Sequence, residues 1–162
     1  MHQLKEPDTH HLATAQGWLE LGNHIEANEE LEKITAALRA HPDVLQVRWG
    51  IYAAAKKWQV CLDIAQAITI SAPRRSFGWV HRSFALHELK RTLEAYDLLL
   101  PLADKFPKEW VLPYNLACYA CKLGRLEEAR SWLGKAFALG DPKELKLKAL
   151  NDADLELLWT GF

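Results

Sequence analysis

One column of residues constrains this chain more than any other feature. Ala27, Cys61, Ala95 and Ala129 are all small, and each lies 34 positions after the one before, with no insertion between them. Leu31, Ala65, Leu99 and Leu133 form an apolar column with the same step, as do Ile34, Ile68, Leu102 and Ala136. Trp18, Tyr52, Leu86 and Ala120 form another, whose members shrink toward the C-terminus. Gly22, Lys56, Lys90 and Gly124 mark a turn, His24, Trp58, Thr92 and Leu126 open the segment after it, and Pro73 and Pro107 close successive repeats. A fixed period of this length across several columns means repeated supersecondary units, each too small to bury its apolar face without its neighbours.

Within a repeat the spacing is helical. The third runs from Ser76 through Trp79, Ser83 and Leu86 to the Lys90-Arg91 turn. Leu93, Tyr96, Leu99, Leu100 and Leu102-Ala103 then recur at three- and four-residue intervals until Phe106-Pro107, which is helix periodicity ended by a breaker. Each repeat is therefore a pair of antiparallel helices, A and B. The small column has a steric cause, since alanine or cysteine lets the two backbones approach closely. The pattern predicts an all-α chain with helices at about 9–21, 24–40, 43–55, 58–71, 77–89, 92–105, 110–123 and 126–139.

The fourth repeat, Tyr114-Asn115-Leu116-Ala117-Cys118-Tyr119-Ala120-Cys121-Lys122-Leu123-Gly124-Arg125-Leu126-Glu127-Glu128-Ala129, resembles the tetratricopeptide repeat family. It shares an apolar helix ending in Leu-Gly, followed by an acidic-Ala pair. Leu21-Gly22-Asn23-His24-Ile25-Glu26-Ala27 carries the same signature, and Trp79 stands where the family often has tryptophan. The resemblance covers Asp8 to Leu139 and implies a right-handed α-solenoid of four helix-turn-helix repeats. It divides the chain into an N-terminal extension (1–8), repeats at 9–41, 42–75, 76–109 and 110–140, and a C-terminal capping segment (141–162). The second repeat departs from the pattern. Bulky Trp49 falls in a column otherwise held by Ala15, Ser83 and Ala117, and Cys61 replaces alanine.

After Gly140-Asp141-Pro142 the period breaks into two short amphipathic pieces, Lys143 to Leu150 and Asp154 to Trp159, with Asp152 placed to cap the second. A repeat array needs such an end piece to cover its last apolar face. The alternative is that Leu155, Leu158 and Trp159 fold back into the groove or dock on another copy.

Charge excludes several partners. Twenty Lys+Arg stand against 21 Asp+Glu, and the basic doublets Lys56-Lys57, Arg74-Arg75 and Lys90-Arg91 are dispersed, so no nucleic-acid-binding surface is expected. No apolar run reaches the length of a membrane span, and no secretory signal stands at the N-terminus. Cys61, Cys118 and Cys121 are an odd number embedded in helical patterns, which reads as a reducing cytoplasm and not as a disulfide framework.

Nothing in the sequence starts an enzymatic reading. Cys118-Tyr119-Ala120-Cys121 matches C-x-x-C, but it lies in mid-helix without a second ligand pair, so no redox or metal site is expected. The seven histidines are scattered without metal-ligand spacing, and no phosphate loop or nucleophile elbow is present. No cofactor or metal is predicted. Trp18, Trp49, Trp58 and Trp79 read as packing residues, while Trp110 and Trp132 are less constrained by the pattern. Arg48 and Arg82, one repeat apart, match an acidic column at Asp63 and Asp97. Either they pair with those aspartates between stacked helices, or they face the groove and bind a ligand carboxylate.

The family resemblance also implies a concave face lined by the A helices, where a partner binds. Residues off the packing columns are then Gln46 and Gly50 in the second repeat, Phe77, Val80, His81, Phe84 and Glu88 in the third, and Tyr114, Asn115, Cys118 and Lys122 in the fourth. Such a surface suits an extended peptide or a helix. The positions that hold a terminal carboxylate in chaperone-binding members carry Leu12, Gln16, Val47, Phe77 and His81, so that clamp is absent. The expectation is a non-catalytic, co-chaperone-like adaptor for a protein or peptide, with a self-associating scaffold and weak homo-oligomer as the alternative.

Overall fold

The computed structural model describes residues 2–161, and every regular element among them is helical. In order these are α1 (Asp8–Glu20), α2 (His24–Leu31), α3 (Pro42–Ala54), α4 (Trp58–Ser71), α5 (Ser76–Glu88), α6 (Thr92–Leu99), α7 (Val111–Lys122), α8 (Leu126–Leu139) and α9 (Pro142–Leu150). Single 3-10 stretches occupy Ala36–Leu38, Leu100–Leu102 and Ala153–Gly161. The chain falls into two compact units that divide between Ala85 and Leu86, within α5. No helix among the described residues is long and apolar enough to cross a membrane.

The 34-residue period reappears as backbone geometry. Gly22, Lys56, Lys90 and Gly124 all adopt positive φ, at 82°, 56°, 64° and 77°. At each of these turns the same two bonds close the helix. Gly22 and Asn23 donate to the carbonyls of Leu19 and Trp18, Lys56 and Lys57 to Ala53 and Tyr52, Lys90 and Arg91 to His87 and Leu86, and Gly124 and Arg125 to Cys121 and Ala120. This is the Schellman C-cap, which satisfies carbonyls that the helix end leaves open. Two of the four positions carry lysine where glycine is the unstrained choice. A left-handed L-residue costs about 1–2 kcal/mol, against about 0.5–1 kcal/mol for the extra chain entropy of glycine. Lys56→Gly and Lys90→Gly are each expected to raise the unfolding free energy by about 0.5–1 kcal/mol, because both lysines are exposed and give up no packing. Urea titration checks this, and a loss of stability would show that the lysine side chains contribute contacts.

Every member of the small column, Ala27, Cys61, Ala95 and Ala129, has no exposed surface. The close approach is visible at Cys61, whose thiol donates to the Trp49 carbonyl across the α3–α4 contact at 3.7 Å. In the first unit Ala15, Ala27, Leu31, Ile34, Val44, Val47 and Ile51 form one buried cluster, with Leu12, Leu19 and Leu38 packed against it. Helix α5 lies close on α4 at Gly78, where an added Cβ would sit 2.9 Å from both Ile68 Cγ2 and the Thr69 amide nitrogen. Trp79 anchors the same turn by donating its indole N–H to the Pro73 carbonyl at 3.0 Å.

Two B helices end earlier than the periodicity predicts. Helix α2 stops at Leu31 instead of continuing to about 40, because buried Asp8 accepts both the Thr35 amide, at 2.8 Å, and its hydroxyl, at 2.9 Å. Thr35 is thereby held extended, with φ −47° and ψ 126°. Arg39 then bonds the freed carbonyls of Ile34 and Glu32. Helix α6 gives way at Leu99 to the 3-10 turn Leu100–Leu102, in which Pro101 has no N–H to continue the α pattern.

In the second unit α7 is buried along most of its length, from Leu112 through Cys121 with Asn115 half-buried. It packs against α6, α8 and the C-terminal stretch Ala153–Gly161. Asp141 caps α9 by accepting from the Lys143 and Glu144 amides, and Asp152 accepts from the Asp154 amide at 3.1 Å. The last segment forms a 3-10 helix, which presents Leu155 and Leu158 to the interior at 0% and 1% exposure.

Candidate interaction surface

In the first unit α3, α4 and α5 bring five rings together. Trp49, 8% exposed, is their centre. Its ring lies 6.4 Å from Trp58, 6.4 Å from Phe77, 4.5 Å from His81 and 6.1 Å from Phe84, measured between centroids. Phe84 meets Trp58 at 5.7 Å, and Phe77 stacks on His81 at 3.6 Å with their planes 14° apart. The edge-to-face contacts of Trp49 with Phe77, His81 and Phe84, and of Trp58 with Phe84, are those that complement the aromatic quadrupole. Trp58, Phe77, His81 and Phe84 are half-buried, so the cluster rests on a hidden indole and offers four partly open rings.

The ionisation of His81 follows from its surroundings. Burial among the rings pushes its pKa down to about 4, although its bond to the Phe77 carbonyl acts in the opposite direction. The ring is neutral at pH 7. Its Nδ1 lies 2.8 Å from that carbonyl, which can only accept, so Nδ1 carries the proton and Nε2 keeps a lone pair. Trp49 Nε1–H, by contrast, is buried and has no hydrogen-bond acceptor among the described residues.

The other residues expected to face a groove divide into several groups. Gln46 is half-buried on α3; Gly50, also half-buried, packs on Leu19, whose Cδ2 would lie 2.6 Å from an added Cβ. Val80 is 4% exposed and belongs to the interior. In the second unit Glu88 and Asn115 are half-buried and Lys122 is exposed.

Tyr114 and Cys118 require a correction. They are 2% and 5% exposed, because the chain's own C-terminal segment occupies the face they were expected to offer a partner. The Tyr114 hydroxyl donates to Asp152 Oδ2 at 2.9 Å, and the Cys118 thiol reaches the same oxygen at 3.7 Å. Lys148 Nζ stands 5.3 Å from the centre of the Tyr114 ring. Burial pushes the Tyr114 hydroxyl and the Cys118 thiol well up, and the nearby Asp152 carboxylate adds to both shifts. Asp154 completes the fastening by accepting from His87 Nε2 at 2.8 Å, while His87 Nδ1 lies 2.9 Å from Thr92 Oγ1. The His87 bond holds the Asp154 carboxyl below its ordinary range against the opposing effect of burial.

Of the two readings open for Arg48, pairing with the aspartate column is not what forms. Arg48 reaches back to Asn28 Oδ1 at 3.2 Å and Glu32 Oε1 at 3.0 Å, and exposed Asp63 accepts from Gln59 instead. Trp18, read as packing, is 37% exposed. Trp110 and Trp132 are both half-buried. Trp110 meets Tyr114 edge-on at 5.9 Å, and Trp132 donates to the Tyr96 hydroxyl at 3.2 Å while Lys135 Nζ lies 4.2 Å from its ring centre. Trp49 and Trp58 were assigned to packing by their columns. The sequence signal for this ring cluster is the bulk of Trp49 in a column of small residues.

Among the described residues no group of three His, Cys, Asp or Glu side chains converges as a metal site. No protein-family model matches the chain. No curated protein matches it either. Solved structures do. A thermophilic tetratricopeptide-repeat protein of Thermus thermophilus superposes with a TM-score of 0.78 at 18% identity, over 95% of this chain and 82% of that one. MamA from Desulfovibrio magneticus, residues 41 to the end, gives 0.71 at 16% identity over 98% and 92%, and MamA MSR-1 gives 0.64 at 22% over 80% and 74%. At such identities the likeness is one of fold, and with the repeated turn, the buried small column and the paired helices it establishes that this chain is an all-α solenoid of the tetratricopeptide-repeat type.

Proposed function

We propose that this protein is a non-catalytic adaptor that binds an apolar peptide segment or one face of an amphipathic helix over the ring cluster of α3 and α5. The observation that carries this reading is the half-open set Phe77, His81 and Phe84 supported on buried Trp49. Rings already held by their neighbours lose little conformational freedom on binding, which is the property of an interface anchor. The Nε2 of neutral His81 accepts one N–H from the ligand, and the Gln46 amide lies on the neighbouring A helix to fix backbone register. No charged side chain belongs to the cluster, so the ligand contributes apolar side chains and not a carboxylate. A cytoplasmic location fits the three free, buried thiols of Cys61, Cys118 and Cys121.

Peptides selected against the wild-type protein from a random library test this directly. Phe77→Ala/Phe84→Ala is expected to weaken their binding about 100-fold, the effect of removing two anchors at an interface centre. Lys122→Ala should leave binding unchanged. If the selected peptides bind the double variant as tightly as the wild type, with helicity preserved by circular dichroism, the ring cluster is not the binding site.

A further inference from the structure

Each unit also presents an exposed apolar surface made by residues outside the ring cluster. At the α1–α2 turn of the first unit Leu21 is 78% exposed and Ile25 is 64% exposed. Ile25 and Glu29 lie one turn apart on the same side of α2, and Glu20, Glu26 and Glu29 stand around the two apolar residues. Lys33 pairs with Glu30 at 2.7 Å and is also attracted by Glu26 and Glu29, one lysine against the glutamates of this side. The surface is therefore apolar at its centre and acidic at its rim.

In the second unit α9 buries Leu145 and Ala149 and turns its other side outward. That side carries Lys143 and Leu147, four residues apart, Lys146 and Leu150, also four apart, and Glu144, three before Leu147. Leu147 is 65% exposed and Leu150 is 44% exposed. This surface also has an apolar centre, but its rim is basic on balance, with Lys143 and Lys146 against Glu144. Single exposed apolar residues are ordinary; a pair four residues apart or fewer, bordered by charges predominantly of one sign, marks an interaction surface.

The two surfaces differ in sign, and this selects both the partner and the mode. Neither complements itself, since a two-fold contact would set glutamates against glutamates or lysines against lysines. Each complements the other. We propose that copies of this chain associate heterologously, with the acidic α1–α2 turn of one copy docked on the basic face of α9 in the next. Leu21 and Ile25 bury against Leu147 and Leu150, and Glu20, Glu26 and Glu29 face Lys143 and Lys146. A docked pair still carries one free surface of each kind, which either closes the assembly or takes up further copies. The contact is small and its ion pairs lie at the rim, so it is concentration-dependent and weakened by salt. It uses no residue of the ring cluster, so it stands or falls apart from the adaptor reading.

Sedimentation equilibrium over a concentration series, at low and high salt, tests the proposal with two charge-reversed variants. These are Lys143→Glu/Lys146→Glu and Glu26→Lys/Glu29→Lys, which leave the buried cores of both units untouched. The wild type is expected to associate with rising concentration at low salt and to dissociate at high salt. Each variant alone should need at least about ten times the concentration to associate, because like charges then meet across the contact. An equimolar mixture of the two should recover wild-type association, since each reversed surface matches the other. Phe77→Ala/Phe84→Ala should associate like the wild type. A wild type that stays monomeric throughout overturns the proposal, as does growth that both reversals leave unchanged, or a mixture that recovers nothing. Binding of a monomeric wild type to phosphatidylserine vesicles through Lys143 and Lys146 would assign α9 to a lipid surface and overturn it as well.

Discussion

Trp49→Ala lowers the unfolding free energy by about 3–5 kcal/mol, the range for removing a buried tryptophan from a packed site. The residue is 8% exposed and touches Trp58, Phe77, His81 and Phe84, so its loss leaves a cavity that four rings must collapse into. Trp49→Phe provides the control. It forfeits ring contacts, but it also removes an indole N–H that is buried without an acceptor, a defect that costs about 1–3 kcal/mol. The two effects oppose one another, and the net change is expected to stay within about 1 kcal/mol. Denaturant unfolding of both variants measures the difference; a loss for Trp49→Phe as large as for Trp49→Ala would show that the N–H is partnered.

His81 reports the same event through pH. Its pKa in the folded protein is pushed down to about 4 from an ordinary value of 6.5. Between those values the unfolded chain binds a proton that the folded chain does not, so stability falls as pH drops from about 6.5 toward 4. Opening the cluster by Trp49→Ala rehydrates the imidazole and moves its pKa back toward 6.5. An NMR titration of His81 should show that upward movement, together with a smaller loss of stability across this window.

Leu155→Ala is expected to cost about 2–5 kcal/mol, as a buried leucine whose cavity only partly closes. Leu155 has no exposed surface, and the segment that carries it covers α7 through the Asp152 bonds to Tyr114 and Cys118 and is fastened to the end of α5 by the Asp154 bond to His87. Loosening this segment uncovers two thiols. Cys118 and Cys121 are 5% and 1% exposed, burial raises the pKa of both, and Cys121 receives a backbone hydrogen bond from Leu157. Their reaction with an aromatic disulfide should therefore accelerate in the variant, while Cys61, buried in the other unit, remains slow. Equal rates in the variant and the wild type would mean that the segment does not control access to α7.

How much of this was legible in advance depended on sequence separation. The helix starts at His24, Trp58, Thr92 and Leu126 coincide with the column that predicted them, because a helix and its C-cap are made by bonds spanning five residues or fewer. The early end of α2 was not legible, since it rests on Asp8 reaching Thr35 across 27 residues. The same holds for Arg48, whose partners Asn28 and Glu32 lie in the preceding repeat, and not at the matching column of its own. Tyr114 and Cys118 sat where the period placed them, on the A helix of the fourth repeat. Their availability was decided by Asp152, 38 residues beyond Tyr114 and outside the periodic region.

The sequence by itself thus determined the helical class, the 34-residue register and the left-handed turn that closes every A helix, lysine-bearing turns included. These are properties of local hydrogen bonding and of a repeated apolar pattern, which each repeat carries in full. Only the tertiary structure decided which A-helix face stays open. In the first unit Trp49 fills a site made for a small residue and holds Phe77, His81 and Phe84 at the surface; in the second, Leu155 and Leu158 bury themselves against α7 and close it. The period specifies identical backbones at both places, and burial of non-repeating side chains distinguishes them.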